Sequence, residues 1–472
     1  MGFPMGRRGS DDVGGSTPPG RTNSIRRDVR MIDNERVEIE DEILDKLGGK
    51  LFLLQDTTQK REIIFQVFLE VYNSARCQKF IRKCKELELE TFFNEFLSYG
   101  VIDEFLADPE VEDIMINYLS LIFIHKTKEG LIKTDKKFSS RKELDLFIKK
   151  LIIFSGRSAI KKINNVELVE IKGRANIVYS PFGPQITITR AKERPLSIIE
   201  LIQSGTLTPE LAAQFWIYVE GLGVKPANII ISGGPGSGKT TLLNALFSFI
   251  PSNERIVVIE DTLELNTEKE ENYSRLESDE ETSLADLVKN SLRMRPDRII
   301  VGEVRGKEAH DLMTAVNIGK YCLGTLHAST ARETIMRLEN EPMNVPAVLI
   351  NLVDVFVIMR RYNLHNRIHR VVGEVVETAG MEKQMVLLSP LWSYDLATAK
   401  FQEPTISGEH RDRLAQISGR SPKDIIEELK LRTKFIEALI DRNIKEFSEV
   451  TQLCRKYISN PHVVLEELKV KR

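Results

Sequence analysis

Residues 228–249 read Asn-Ile-Ile-Ile-Ser-Gly-Gly-Pro-Gly-Ser-Gly-Lys-Thr-Thr-Leu-Leu-Asn-Ala-Leu-Phe-Ser-Phe, and this stretch decides the fold. Asn228–Ser232 has the composition of a buried strand, and Thr241–Phe249 has the periodicity of a helix. Between them, residues 233–240 fit the pattern G-x-x-x-x-G-K-[ST] in full. Chemistry requires these residue types here. Glycines let backbone N–H groups turn inward around a phosphate, and the helix that follows offers its unpaired amino-terminal donors to the same anion. The cradle comprises Gly233, Gly234, Pro235, Gly236, Ser237, Gly238, Lys239, Thr240 and Thr241. Lys239 is placed for the β- and γ-phosphates, and the Thr240 hydroxyl is placed for Mg²⁺. The stretch therefore predicts a site for a nucleoside triphosphate with Mg²⁺.

Outward from the loop, apolar runs alternate with helical segments: 228–232, 256–259, 298–301, 321–326 and 355–359. Such alternation predicts an α/β domain with a mainly parallel sheet, and phosphate ligands bind at the carboxyl ends of its strands. Each remaining polar motif falls at such an end. The second run closes on Ile259-Glu-Asp-Thr-Leu-Glu-Leu265, which gathers Glu260, Asp261 and Glu264. A carboxylate there can orient a water and accept its proton. The third run, Arg298-Ile-Ile-Val-Gly-Glu303, has the Walker B form, with Glu303 beside Thr240 as a direct or water-mediated metal ligand and Arg305 just beyond. The fourth leads into Gly324-Thr-Leu-His-Ala-Ser-Thr330, where His327 is placed to sense the γ-phosphate. The acidic run 268–282 is read as a solvated loop.

Composition bounds the rest. A chain of 472 residues predicts two to three domains. With 67 Lys and Arg against 69 Asp and Glu, no basic excess points to nucleic acid. No apolar run approaches the roughly 18 residues of a membrane span. The opening MGFPMGRRGSDD lacks the apolar centre of a signal peptide. These features predict a cytoplasmic protein, attached to a membrane only through a partner. The four cysteines, 77, 84, 322 and 454, form no C-x-x-C pair, and Cys77 and Cys84 share a helical face.

The pattern divides the chain into a disordered tail (1–34), a helical region (35–100), an α+β domain (101–190), a charged linker (191–197), the nucleotide domain (198–404) and a polar helical region (405–472). In the α+β domain, Gln185-Ile-Thr-Ile-Thr-Arg190 alternates as a half-buried strand should.

The ordered set GGPGSGKTT, IEDTLEL, LRMRPDRIIVGEVRG and GTLHAST resembles the secretion ATPase superfamily of type II secretion and type IV pilus systems. The stretch Ala331–Pro346 is similar to its archaeal branch. The resemblance implies a homohexameric ring of subunits with an α+β domain hinged to a RecA-like domain, driving a polytopic membrane platform protein. It also implies that Asp297, Glu303 and Arg305 form the Walker B segment, that His327 belongs to the histidine box, and that Arg190 and Arg174 point at phosphates. An arginine fork suits that role, since it pairs with phosphate oxygens. Glu264 is the expected general base and Glu303 the metal and water organiser, with the two roles exchangeable; Lys239 and Arg190 stabilise charge. Where the family has Thr-Gly-His, this chain has Ile318-Gly-Lys320, and a protonated lysine cannot accept a proton. The expected function is a pilus-assembly or secretion motor, with an archaellum motor, a DNA-transfer ATPase or a helicase-like motor as alternatives.

Overall fold

The computed structural model describes residues 20–470 apart from 53, 55, 85–86, 128, 172, 191–193, 266–271, 280, 365–366 and 403–407; for 20–33 and 169 it gives the backbone alone. The chain divides into two units, residues 1–126 with 130–190, and residues 191–472 with 127–129.

In the first unit the helices Gly20–Leu47, Thr57–Tyr72, Ala75–Lys83 and Leu89–Leu97 precede a sheet built from β1 (Val111–Asn117), β2 (Ile122–Lys126), β3 (Gly130–Lys133), β4 (Ile163–Leu168), β5 (Gly173–Ser180) and β6 (Gly183–Arg190). The order is β3-β2-β1-β6-β5-β4, antiparallel throughout. Helix Arg141–Phe154 joins β3 to β4. Two sequence boundaries are corrected here. Residues 35–100 and 101–190 are not separate bodies, because Phe68, Phe92 and Phe96 share one buried core with Ile114, Phe154 and Ile188. Helices of nine to sixteen residues are marginal alone and need such a surface. The stretch read as a tail is helical from Gly20. Ile39, Ile43, Leu44 and Leu47 anchor that helix in the core, and no Gly or Pro between 21 and 34 stops it running backward. Residues 1–19 lie outside the described residues.

The second unit carries β7 (Ile229–Gly233), β8 (Ile256–Glu260), β9 (Tyr273–Glu277), β10 (Arg298–Val301), β11 (Tyr321–Leu326), β12 (Val355–Leu364), β13 (Arg367–Glu382), β14 (Met385–Asp395) and β15 (Lys400–Phe401). Their order is β15-β14-β13-β12-β7-β11-β10-β8-β9. From β12 to β9 every pairing is parallel, as the alternating runs require, and β7, β8 and β10 are buried along their whole length. Beyond β12 the sheet turns antiparallel through β13, β14 and β15. The acidic run read as a loop contains β9, whose Tyr273 and Leu276 supply apolar contacts that the count of charges concealed.

The polar helices after 405 are part of this unit's core. Trp216, on helix Pro209–Glu220, stacks on Phe249 and meets Phe435 and Tyr457 from helices Pro422–Asp441 and Phe447–Ser459. Arg432 lies 4.7 Å above the Trp216 ring, fully buried, and bonds Glu220 and Glu428. All four cysteines are free; Cys77, Cys322 and Cys454 are buried and Cys84 is half-buried.

Candidate functional site

Strand order converts motifs scattered along the sequence into one row. At the carboxyl edge of the sheet, β12, β7, β11, β10 and β8 stand side by side, so the loop after β7 has His327 next to it, then Glu303, then the acidic turn of residues 260–264.

The loop is shaped by close approach. A Cβ at Gly233 would stand 2.5 Å from Ser237 Oγ and 2.6 Å from the Met359 carbonyl on β12. Gly238, at φ 93°, turns the chain into helix Lys239–Leu246, a conformation that other residues adopt at a cost. Lys239 is buried, and its ammonium donates to the carbonyls of Gly233 (3.1 Å) and Gly234 (3.3 Å), with His327 Nδ1 at 3.2 Å. Burial lowers the Lys239 pKa, against the opposing pull of Glu303 and then Glu264. Both carboxylates therefore lie within electrostatic reach of the ammonium. Thr240 and Thr241 are half-buried at the start of the helix, and the buried Ser237 hydroxyl has no hydrogen-bond partner among the described residues.

His327 Nε2 lies 3.4 Å from Glu303 Oε1. Burial and then the Lys239 charge hold the imidazole below its ordinary pKa, so it is neutral at pH 7. Arg305 Nε is 3.7 Å from Glu303 Oε1, and the same guanidinium pairs with Asp261. Lys239, His327, Glu303, Arg305 and Asp261 thus form a chain of alternating donors and acceptors. Thr325 Oγ1 donates to the Gly302 carbonyl at 2.6 Å and fixes the turn that presents Glu303.

Glu260 is the buried member of the acidic turn. Its Oε1 accepts from the backbone N–H groups of Glu264 (2.9 Å) and Leu265 (3.0 Å), which leaves Glu264 exposed at the tip. Burial pushes its carboxyl up to about 7, against those two hydrogen bonds and Arg275. Gly302 makes room for it, since a Cβ there would lie 2.9 Å from Glu260 Cγ.

Other predicted residues fall elsewhere. Asp297 lies at the opposite, amino end of β10, where its carboxylate accepts from Arg255 N–H (2.8 Å); it bonds the sheet's far edge and does not join Glu303. Lys320 likewise precedes β11, at the end away from His327. Arg190, in the first unit, gives Nη1 to the carbonyls of Asp108 (2.7 Å), Phe105 and Val111 (both 3.3 Å), and Arg174 is exposed on neighbouring β5.

Sequence reading missed two residues. β12 continues past the loop into a hairpin with β13, and Arg370 Nε donates to the Gly236 carbonyl at 2.9 Å. Its cross-strand partner Arg361 brings Nη1 within 3.2 Å of where a Gly236 Cβ would be. Only the antiparallel register announces them, and no short motif does.

The residues fit Mg: Thr240 and Glu303 would hold it, and it would supply charge for phosphate oxygens. No group of three or more His, Cys, Asp or Glu stands ready for a metal among the described residues. A hydroxyl and one carboxylate suit an ion that takes its other ligands from phosphates and water. No described helix is long and apolar enough to cross a membrane.

The profile of the type II/IV secretion system protein family matches residues 163–385. The Methanocaldococcus jannaschii protein MJ0900 is 31% identical over 76% of this chain and 67% of its own length. The conjugal transfer protein TrbB of Rhizobium radiobacter is 30% identical over 57% of this chain and 84% of its own. A longer M. jannaschii protein, MJ0781, is 39% identical, but the match spans only 32% of it. Among solved structures, the Legionella pneumophila ATPase DotB overlaps 76% of this chain and 94% of its own at 19% identity, with a TM-score of 0.45.

Proposed function

From the chain's membership of the type II/IV secretion system protein family, we propose that it hydrolyses ATP to drive assembly of a pilus-like filament or secretion of a protein substrate. The observation that carries the reading is the Lys239–His327–Glu303 row beside the phosphate loop. Lys239 already stands among the loop carbonyls and can turn its charge to the β- and γ-phosphates. Glu303 serves as metal partner and organises the attacking water. Glu264, exposed at the tip that Glu260 holds, is the proposed base, with the two carboxylates exchangeable. Arg305 adds charge on the far side of Glu303, and Arg190 and Arg174 complete the neutralisation of phosphate in an assembled homohexamer.

The proposed partner is a polytopic membrane platform protein, with the chain on the inner face of the membrane. The similarity to TrbB favours DNA transfer as the second reading. The decisive experiment separates binding from turnover. Glu303→Gln should retain ATP and lose hydrolysis, Lys239→Ala should lose hydrolysis, and an ATP analogue should shift the parent chain to a hexamer in light scattering. Parental hydrolysis by Lys239→Ala refutes the site. Full hydrolysis by a chain that stays monomeric with saturating analogue refutes the ring.

A further inference from the structure

The hairpin beyond the sheet edge carries Arg360, Arg361, Arg367 and Arg370 within eleven residues and no acid among them. Arg361 and Arg370 are register partners, so two guanidiniums stand on one face of the hairpin. Like charges directly opposite each other repel and cost stability. Both nevertheless converge on Gly236, at the apex of the phosphate loop. The hairpin beneath them is braced: Tyr362 stacks on its own register partner His369 (5.2 Å, 15°) and its hydroxyl bonds that of Tyr394 at 2.7 Å. The Arg360 stem lies across Gly373, where a Cβ would be only 2.5 Å from it. Such support fixes where the two arginines stand.

We propose that Arg361 and Arg370 are positioning residues for the triphosphate, bracing the outer side of the loop. A hydrogen bond that draws the Gly236 carbonyl outward keeps the neighbouring N–H groups turned inward to the anion. A second guanidinium adds positive potential that an incoming polyphosphate relieves, which offsets the repulsion within the pair. The inference rests on the ATP reading above and adds residues outside every motif of the nucleotide domain.

The test is equilibrium binding of a fluorescent ATP analogue with Mg²⁺, alongside steady-state hydrolysis, on the full chain. Arg370→Ala should weaken binding and raise KM about tenfold while kcat stays within about twofold, as loss of a charge-assisted hydrogen bond implies. Arg370→Lys, which keeps a charged donor, should recover most of the loss. Arg361→Ala, at an exposed position that folding does not need, should weaken binding about threefold and flatten its salt dependence. Parental affinity in Arg370→Ala, a lysine variant no better than alanine, or an Arg361→Ala chain with unchanged affinity and salt slope each overturns the brace. A parent chain that fails to bind the analogue overturns the ATP reading instead.

Discussion

Lys239 Nζ lies 3.2 Å from His327 Nδ1, and Nε2 of the same ring lies 3.4 Å from Glu303 Oε1. One ring thus stands between the lysine of the loop and the carboxylate that follows β10.

Acid should break this link. The His327 pKa lies below the ordinary 6.5, so hydrolysis should stay level on acidification to about that pH and fall only below it. His327→Ala should keep nucleotide but slow single-turnover hydrolysis about 10- to 100-fold. A rate within twofold of the parent would show that the ring is only packing.

Glu264→Gln and Glu303→Gln should separate two roles. Both keep shape and remove basicity, and each is expected to lower kcat at least about 100-fold with binding retained. Mg²⁺ dependence distinguishes them: Glu303→Gln should need more Mg²⁺ for half-maximal nucleotide binding, and Glu264→Gln should not. If Glu264→Gln turns over like the parent, the exposed tip of the acidic turn is not the base.

Glu260 gives a stability signature. Its folded pKa of about 7 exceeds the 4.5 of an unstructured glutamate, so between those values the folded state holds the extra proton. Stability must then fall as pH rises from about 4.5 to 7, by on the order of 1–3 kcal/mol. Glu260→Gln can still accept from Glu264 and Leu265 N–H and carries no charge to bury. Denaturant unfolding at pH 8 should find it more stable than the parent, with the pH slope removed; a less stable variant refutes the assignment.

Arg432 tests whether the carboxyl-terminal helices are integral. Buried between Trp216 and Tyr457 and bonded to Glu220 and Glu428, it leaves one buried carboxylate, Glu220, and the half-buried Glu428 uncompensated when removed. Arg432→Ala should cost about 3–5 kcal/mol in denaturant unfolding, and Arg432→Met, which restores volume, should cost less when paired with Glu220→Gln. A loss under about 1 kcal/mol would mean that these helices are loosely attached.

What the sequence made legible was local. Gly233–Thr240 announced its own turn because its glycine spacing, lysine and hydroxyl lie within eight consecutive residues. β6, β7 and β10 were readable because their side chains alternate or run apolar. What escaped depends on pairing across distance. Glu260, Asp261 and Glu264 look equivalent in the sequence, and only the turn between β8 and β9 buries the first and exposes the last. The family resemblance puts Asp297 and Glu303 in one Walker B segment, yet a buried strand sets them at opposite edges of the sheet. Arg370 reaches Gly236 across 134 residues, through a register that no local pattern encodes.

The placement of the four thiols has a practical chemical consequence. Alkylation requires a thiolate within reach of reagent. Cys322 and Cys454 are buried with their pKa values driven well up, and Cys77 is pushed to about 11 and is itself buried. Cys84 alone is half-accessible, and its pKa is raised as well. Of the four thiols, Cys84 is thus the one within reach of a maleimide. Replacing Cys84 with serine and placing a cysteine at Asn363, on the exposed arm of the hairpin, would put one dye near the phosphate loop without stripping the core of its sulfur.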